Sequence, residues 1–124
     1  MNISQNTTST KNIITSYDSK SITIGECSFS STFIANVSTT EVLELESILE
    51  INAEQIAKII SYEPEIIIFG TGKKLIKPNF KKISTIIDLK ISFEYMQTTS
   101  AVKTYNSLVF DERNVLGLFI LDES

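Results

Sequence analysis

Residues 64–72 read Pro-Glu-Ile-Ile-Ile-Phe-Gly-Thr-Gly, and this stretch decides the fold. Its four consecutive apolar residues, 66–69, are mostly β-branched, which predicts a strand that is covered on both faces. Pro64 ends the preceding element, and the glycines at 70–72 end the strand. Strands of this kind are typical of α/β proteins, in which helices pack on each side of a parallel sheet.

The sequence after this strand predicts two further strands, each preceded by a helix. A helix opens at Pro78 and Asn79, and a strand covers 91–96. A helix capped by a hydroxyl at 98–100 follows, and an apolar strand covers 115–121. The apolar face predicted for the first of these helices consists of Phe80, Ile83, Ile86 and Ile87. This βαβαβ order implies a partly parallel sheet with right-handed crossovers.

The first half of the chain predicts an antiparallel unit followed by an ambiguous stretch. Apolar and polar residues alternate over 22–24 and again over 33–37, as in half-buried strands. We interpret 42–46 as a strand and 52–62 as a helix that Asn52 caps, with one long helix as the alternative. Residues 1–11 lack periodic apolar positions and predict a flexible polar arm, which leaves 12–124 as a single domain.

The composition removes several classes of chemistry. The 124 residues include no histidine and one cysteine, Cys27. Ser-His-Asp triads, histidine-ligated metals and intramolecular disulfides are therefore excluded, and we expect no cofactor and no metal. An enzyme that uses Glu65, Glu94 or Cys27 is an alternative, because carboxylates and thiols can exchange protons.

Charge and apolar patterning bear on location and partners. The net charge of −4 argues against sequence-independent binding to nucleic acid, which needs a basic stripe. The apolar runs at 66–69 and 115–121 are too short to span a bilayer, and the first twenty residues are polar. A lone cysteine suits a reducing compartment, so we expect a cytoplasmic protein without a membrane span.

Two loops after predicted parallel strands are candidates for a ligand site. The first combines glycines, which admit backbone N–H groups to an anion, with lysine charge, and the second places hydroxyls at a helix N-terminus. If the two strands are neighbours, the loops meet at one edge of the sheet. The predicted anion-binding residues are Gly70, Thr71, Gly72, Lys73, Thr98 and Ser100. The alternative is that the glycines only form a turn and the hydroxyls only cap the helix.

Residues 64–121 resemble the Mth nine-three-eight-like domain family. The motifs that carry the resemblance are the stretch 64–72, Pro78, Phe93-Glu94-x-Met96-x-Thr98, Ala101-x-x-Thr104-Tyr105-Asn106-x-Leu108, and Arg113. The chain departs from the family at Gln97, where many members carry an aspartate. Over the first half, only the strand alternation and the turn at 17–24 resemble the family.

The resemblance implies an α/β fold of three layers, with a central mixed sheet, helices and an added antiparallel β unit. The family has no established enzymatic activity and includes the mitochondrial respiratory complex I assembly factor 3. The resemblance therefore implies a non-catalytic protein-binding or assembly-type factor with a protein partner. The alternative is a domain that binds a small molecule or anion at the two loops. The C-terminal strand leaves room for a homodimer through an exposed sheet edge.

Overall fold

The computed structural model describes residues 11–18 and 20–121, so all but one residue of the predicted arm lies outside the described part. Eight strands, three α-helices and a 3₁₀ helix occur along these residues. The strands are β1 (Ile14–Tyr17), β2 (Ile22–Ile24), β3 (Cys27–Phe29), β4 (Phe33–Ala35), β5 (Thr40–Val42), β6 (Ile66–Gly70), β7 (Ser92–Met96) and β8 (Val115–Phe119). The helices are α1 (Ala53–Ser61), α2 (Ser84–Asp88) and α3 (Thr98–Phe110), and the 3₁₀ helix is Ile48–Glu50.

The central sheet is mixed and has the strand order β5-β4-β8-β6-β7. Strand β6 lies parallel to β7 and to β8, whereas β4 lies antiparallel to β5 and β8. Strands β1, β2 and β3 form a separate antiparallel sheet. The predicted fold, an α/β domain with a central mixed sheet and an added antiparallel unit, is therefore confirmed.

Strand β6 is buried at all of its positions because a different layer covers each face. Ile66 and Ile68 belong to a core with α3 and the small sheet. Ile67 and Phe69 belong to a second core with α1 and α2. Successive side chains of a strand point to opposite faces, so one continuous apolar run supplies both cores.

The ambiguous stretch between β4 and β6 contains a short strand and a helix. The strand lies at Thr40–Val42, so the prediction of 42–46 is wrong. Its partner β4 begins at Phe33, and the last bond of this ladder runs from Leu43 N to Thr32 O. The residues beyond have no strand to pair with, and the chain leaves the sheet.

The helix predicted to follow Asn52 is confirmed, and the single long helix is excluded. The Asn52 side chain accepts from Gln55 N at 2.8 Å, and the Gln55 side chain accepts from Asn52 N at 3.1 Å. This reciprocal capping box satisfies backbone N–H groups that otherwise have no partner at a helix start.

The helix predicted to open at Pro78 begins instead at Ser84. Asn79 holds the preceding residues in turns, since its backbone oxygen accepts from Lys82 N and its side chain accepts from Lys81 N. Ile83 and Ile86 are buried as predicted. Phe80 and Ile87 were predicted to be buried, but each is 41% exposed.

The C-terminal strand β8 lies in the middle of the sheet, between β4 and β6. Both of its edges are therefore paired, so β8 does not offer the exposed edge that was expected, and a homodimer through another sheet edge stays a prediction. The outermost strands of the central sheet are β5 and β7.

Candidate functional site

The two loops of the predicted anion site lie side by side at the carboxyl ends of β6 and β7. Thr71 N donates to Met96 O at 2.8 Å, and Thr98 N donates to Gly72 O at 3.0 Å. The strands are parallel neighbours, which places their ends at the same edge. Backbone hydrogen bonds therefore join the loops directly.

Thr98 links three segments of the chain through its hydroxyl. Oγ1 accepts from Gly72 N at 2.8 Å and donates to Ile120 O at 2.8 Å. The residue is 1% exposed. Its hydroxyl thus ties the loop after β6 to the residue after β8, and both of its hydrogen bonds lie within the protein.

Thr71 is also buried, and its hydroxyl shapes its own loop. Oγ1 donates to Lys74 O at 2.6 Å and accepts from Ile76 N at 3.1 Å. Two of the six predicted site residues, Thr71 and Thr98, therefore stabilise the loops from inside, and their side chains do not face solvent.

Lys73 and Ser100 are the predicted site residues that are exposed. Gln97 Nε2 donates to Lys73 O at 2.6 Å, which adds a third link between the loops. Gln97 occupies the N-cap position of α3, and neither it nor a hydroxyl of 98–100 makes a side-chain cap bond. The predicted hydroxyl cap is therefore wrong, because Gln97 takes the N-cap position and the Thr98 hydroxyl accepts from Gly72 N instead of a helix N–H.

The glycines of this region are required by geometry. Gly72 has a φ of +100°, which side chains disfavour. A Cβ on Gly70 would lie 3.0 Å from both the Ala101 Cβ and the Thr98 Oγ1. Gly70 therefore lets β6 and α3 approach closely, and Gly72 allows the turn that follows β6. Anion binding at the six residues stays a prediction.

Tyr105 and Asn106, which belong to the family motif, fasten the small sheet to α3. Asn106 accepts from Ile14 N at 2.9 Å and donates to Ile14 O at 2.8 Å, as a neighbouring strand would. The Tyr105 hydroxyl hydrogen-bonds to Asn12 O and Asn36 O, and burial raises its pKa. These two motif residues therefore have structural contacts, which agrees with interpreting them from the sequence as structural residues.

Glu65 and Arg113 form an exposed ion pair at the amino end of β6. Glu65 accepts from Asn114 N at 2.8 Å and from Arg113 Nε at 3.1 Å. The Asn114 N–H and then the Arg113 guanidinium lower the pKa of the Glu65 carboxyl. Glu94 lies opposite Ile68 in the β6–β7 register, about 10 Å further along the sheet, so the two carboxylates do not form a pair.

A groove that sequence reasoning missed lies between α1 and α2. Its volume is about 440 Å³, and Ile56 and Ile60 form part of its apolar lining. Lys82 Nζ donates to Leu49 O at 2.7 Å and so joins the segment before α2 to the 3₁₀ helix. The lining residues from α1 are Ala53, Ile56, Ala57 and Ile60. The two alanines one helical turn apart were the available sequence signal, since small side chains leave room beside a helix.

The described residues contain neither a metal-binding cluster nor a membrane-spanning helix. Along 11–18 and 20–121, no three acidic or cysteine side chains come close enough to hold a metal ion. In the same residues, none of the helices combines the length and apolar character needed to cross a membrane.

Comparison with known proteins gives sequence relatives and structural neighbours. A "13 kDa major membrane protein" of Francisella tularensis subsp. holarctica (strain LVS) is 36% identical over 88 residues, which cover 68% of this chain and 72% of that protein. A Bartonella henselae structure described as an outer membrane protein has a TM-score of 0.80 at 22% identity, covering 91% of this chain and 97% of that one.

A Mth938-like domain from Bordetella pertussis matches with a TM-score of 0.79 at 17% identity, covering 91% of this chain and 87% of that one. These structural likenesses show the fold. Residues 14–120 match the family described as "Protein of unknown function (DUF498/DUF598)". The chain therefore belongs to the DUF498/DUF598 family, and its fold is that of the Mth938-like domain.

Proposed function

We propose that this protein is a non-catalytic assembly factor that holds a segment of a partner protein in the groove between α1 and α2. The observation that carries the proposal is the groove itself, with a volume of about 440 Å³ and an apolar lining. Exposed apolar surface of this kind marks interaction sites in proteins.

The groove suits a protein segment better than a metabolite. Metabolite sites bring a few convergent polar groups onto a buried ligand. Here Lys81, Lys82 and Glu50 line the groove as exposed residues, and both charge signs are present. Exposed charges around an apolar floor match the polar rim and apolar centre of protein interfaces.

The described residues that could act as catalysts are not arranged as a catalytic site. Both Glu65 oxygens accept hydrogen bonds, and its lowered pKa keeps the carboxyl charged, which disfavours a role as proton donor. Cys27 is an exposed free thiol on β3. These features support a binding role over an enzymatic one.

The names of relatives support a site of action at a membrane. The Francisella protein is called a major membrane protein, and the Bartonella protein an outer membrane protein. With the resemblance to complex I assembly factor 3, this favours a membrane-associated complex, such as a respiratory one, as the target. We place the protein on the cytoplasmic side, where the exposed thiol of Cys27 stays reduced.

Photo-crosslinking in cells tests the groove. A photoreactive phenylalanine analogue at Ala57, which lines the groove, should give a discrete adduct with one protein. The same analogue at Glu54 is the matched control, because Glu54 lies on α1, is exposed and does not line the groove.

The adduct at position 57 should be lost when Ala53→Trp fills the groove. An absent adduct at 57, or the same adduct at 54 and 57, would contradict the proposal. The anion-binding alternative makes a separate prediction, since phosphate should then raise the Tm of the wild type and not of Lys73→Ala.

A further inference from the structure

We infer that a basic and apolar stripe along the outermost strand β7 docks this protein onto the surface of an anionic lipid bilayer. The stripe consists of Lys74, Leu75, Lys77, Phe80, Leu89 and Lys90. The inference goes beyond the proposed function, because the stripe is separate from the protein-binding groove and neither needs the other.

The segment that contains the stripe, residues 73–96, reverses the charge of the chain. Residues 73–96 contain six lysines and two acids, Asp88 and Glu94, so this segment carries +4 in a chain of net −4. The remaining residues together carry −8. The lysines of the segment are exposed to solvent. The protein is acidic overall, yet this segment is basic, and the net charge of the whole chain does not reveal it.

The fold lays the stripe along the length of β7. Lys74 lies at the carboxyl end of the parallel strands, where its backbone oxygen accepts from Thr71 Oγ1. Phe80 packs edge-on against Phe93 of β7 at a centroid distance of 5.9 Å. Leu89 and Lys90 come just before the start of β7. The connection from β6 to β7 therefore follows this outer strand from one end to the other.

The apolar members of the stripe are exposed to solvent. Leu75 is 61% exposed, Leu89 is 55% exposed and Phe80 is 41% exposed. Lys77 Nζ lies 4.9 Å from the centroid of the Phe80 ring, so charge and apolar surface alternate at close range. Surfaces that bind in the membrane interface combine lysines with aliphatic and aromatic side chains in this way.

This combination favours a bilayer over other polyanions. Lipid headgroups attract the lysines, and the acyl boundary beneath them accepts leucine and phenylalanine side chains. The backbone of a nucleic acid would satisfy the lysines but would leave aliphatic side chains such as Leu75 and Leu89 in water. The commitment to lipid therefore rests on charge complementarity together with the exposed leucines.

Vesicle co-sedimentation of the full chain tests the inference. Vesicles of phosphatidylcholine with one-third phosphatidylglycerol should bind the protein, whereas pure phosphatidylcholine vesicles should not. Raising the salt from 0.05 M to 0.5 M should release it, because the Debye length shortens severalfold. The triple variant Lys74→Glu, Lys77→Glu and Lys90→Glu should bind at least about 100-fold more weakly, at roughly fivefold for each lysine removed.

A charge-matched control separates the stripe from net charge. The variant Lys11→Glu, Lys20→Glu and Lys103→Glu changes the net charge by the same amount outside the stripe and should keep most of the binding. The double variant Leu75→Ser and Leu89→Ser keeps the lysines, and its binding to anionic vesicles should still fall about tenfold or more.

Three outcomes would overturn the inference: equal losses in the two triple variants, equal binding to neutral vesicles, or binding to duplex DNA without binding to anionic vesicles. Failure here is distinguishable from failure of the proposed function, because the adduct at position 57 reports on the groove alone. A stripe variant that loses vesicles but keeps a groove adduct in the cytosolic fraction would support both proposals.

Discussion

Thr98 shows how one hydroxyl determines the geometry of the candidate anion site. Its Oγ1 bonds both Gly72 N and Ile120 O in a position that water does not reach. We expect Thr98→Val, which keeps the shape and removes both bonds, to lower the free energy of unfolding by about 2 to 3 kcal/mol. Chemical denaturation at neutral pH measures this loss.

The neighbouring Thr99 provides the control, because it is also a threonine but its side chain is exposed, whereas that of Thr98 is buried. Thr99→Val should change the free energy of unfolding by less than about 0.5 kcal/mol. Similar losses in both variants would mean that helix propensity, and not the buried hydroxyl, determines the stability at this position.

Strand β8 contains a glycine because an aromatic ring occupies the space above it. A Cβ on Gly117 would lie 2.5 Å from the Phe119 ring and 3.1 Å from Tyr105. That ring is itself packed against Phe33 and Tyr105, so it has little room to move. Gly117→Ala should lower the free energy of unfolding by about 2 to 3 kcal/mol, measured by denaturant titration.

Gly25 provides the control for Gly117, because it is a glycine with no neighbouring atoms to obstruct a side chain. Its φ is +58° and nothing lies within 4 Å of a Cβ placed there. Because asparagine tolerates this backbone region, Gly25→Asn should leave the free energy of unfolding within about 0.5 kcal/mol of the wild type. If Gly117→Ala proved equally mild, close packing in β8 would not be the reason for its glycine.

The molecule is assembled from two sheets, and Asn106 of α3 holds the small sheet by hydrogen bonds to both backbone groups of Ile14. We expect Asn106→Leu to undock the small sheet while the central sheet stays folded. Amide hydrogen exchange should then be about 30-fold faster in β1–β3, corresponding to about 2 kcal/mol, and unchanged in β6.

Ser107→Ala, at the next and exposed position of α3, should leave the exchange rates of both sheets unchanged. Uniform acceleration across β1 and β6 after Asn106→Leu would show instead that the two sheets open as one unit. The experiment therefore distinguishes a docked subunit of the fold from a single cooperative core.

Sequence reasoning recovered those elements whose signals are local. The apolar run at 66–69 predicted the buried strand β6, and Asn52 predicted the start of α1. Both predictions succeeded because these signals come from residues adjacent in the sequence. The helix predicted at Pro78 failed because Asn79 favours turns there and Phe80 packs on Phe93, a contact that periodicity does not encode. The predicted cap at Thr98 failed because its hydroxyl oxygen accepts from Gly72 N, 26 residues away, and not from a backbone N–H of its own helix.

The sequence alone determined the fold class and excluded histidine chemistry and intramolecular disulfides, since apolar periodicity and residue types are properties of the chain itself. Tertiary structure decided that β8 lies in the centre of the sheet, that Thr71 and Thr98 face inward, and that α1 and α2 enclose a groove. These features depend on residues that are distant in the chain and meet only when the layers pack, and local patterns carry no information about such meetings.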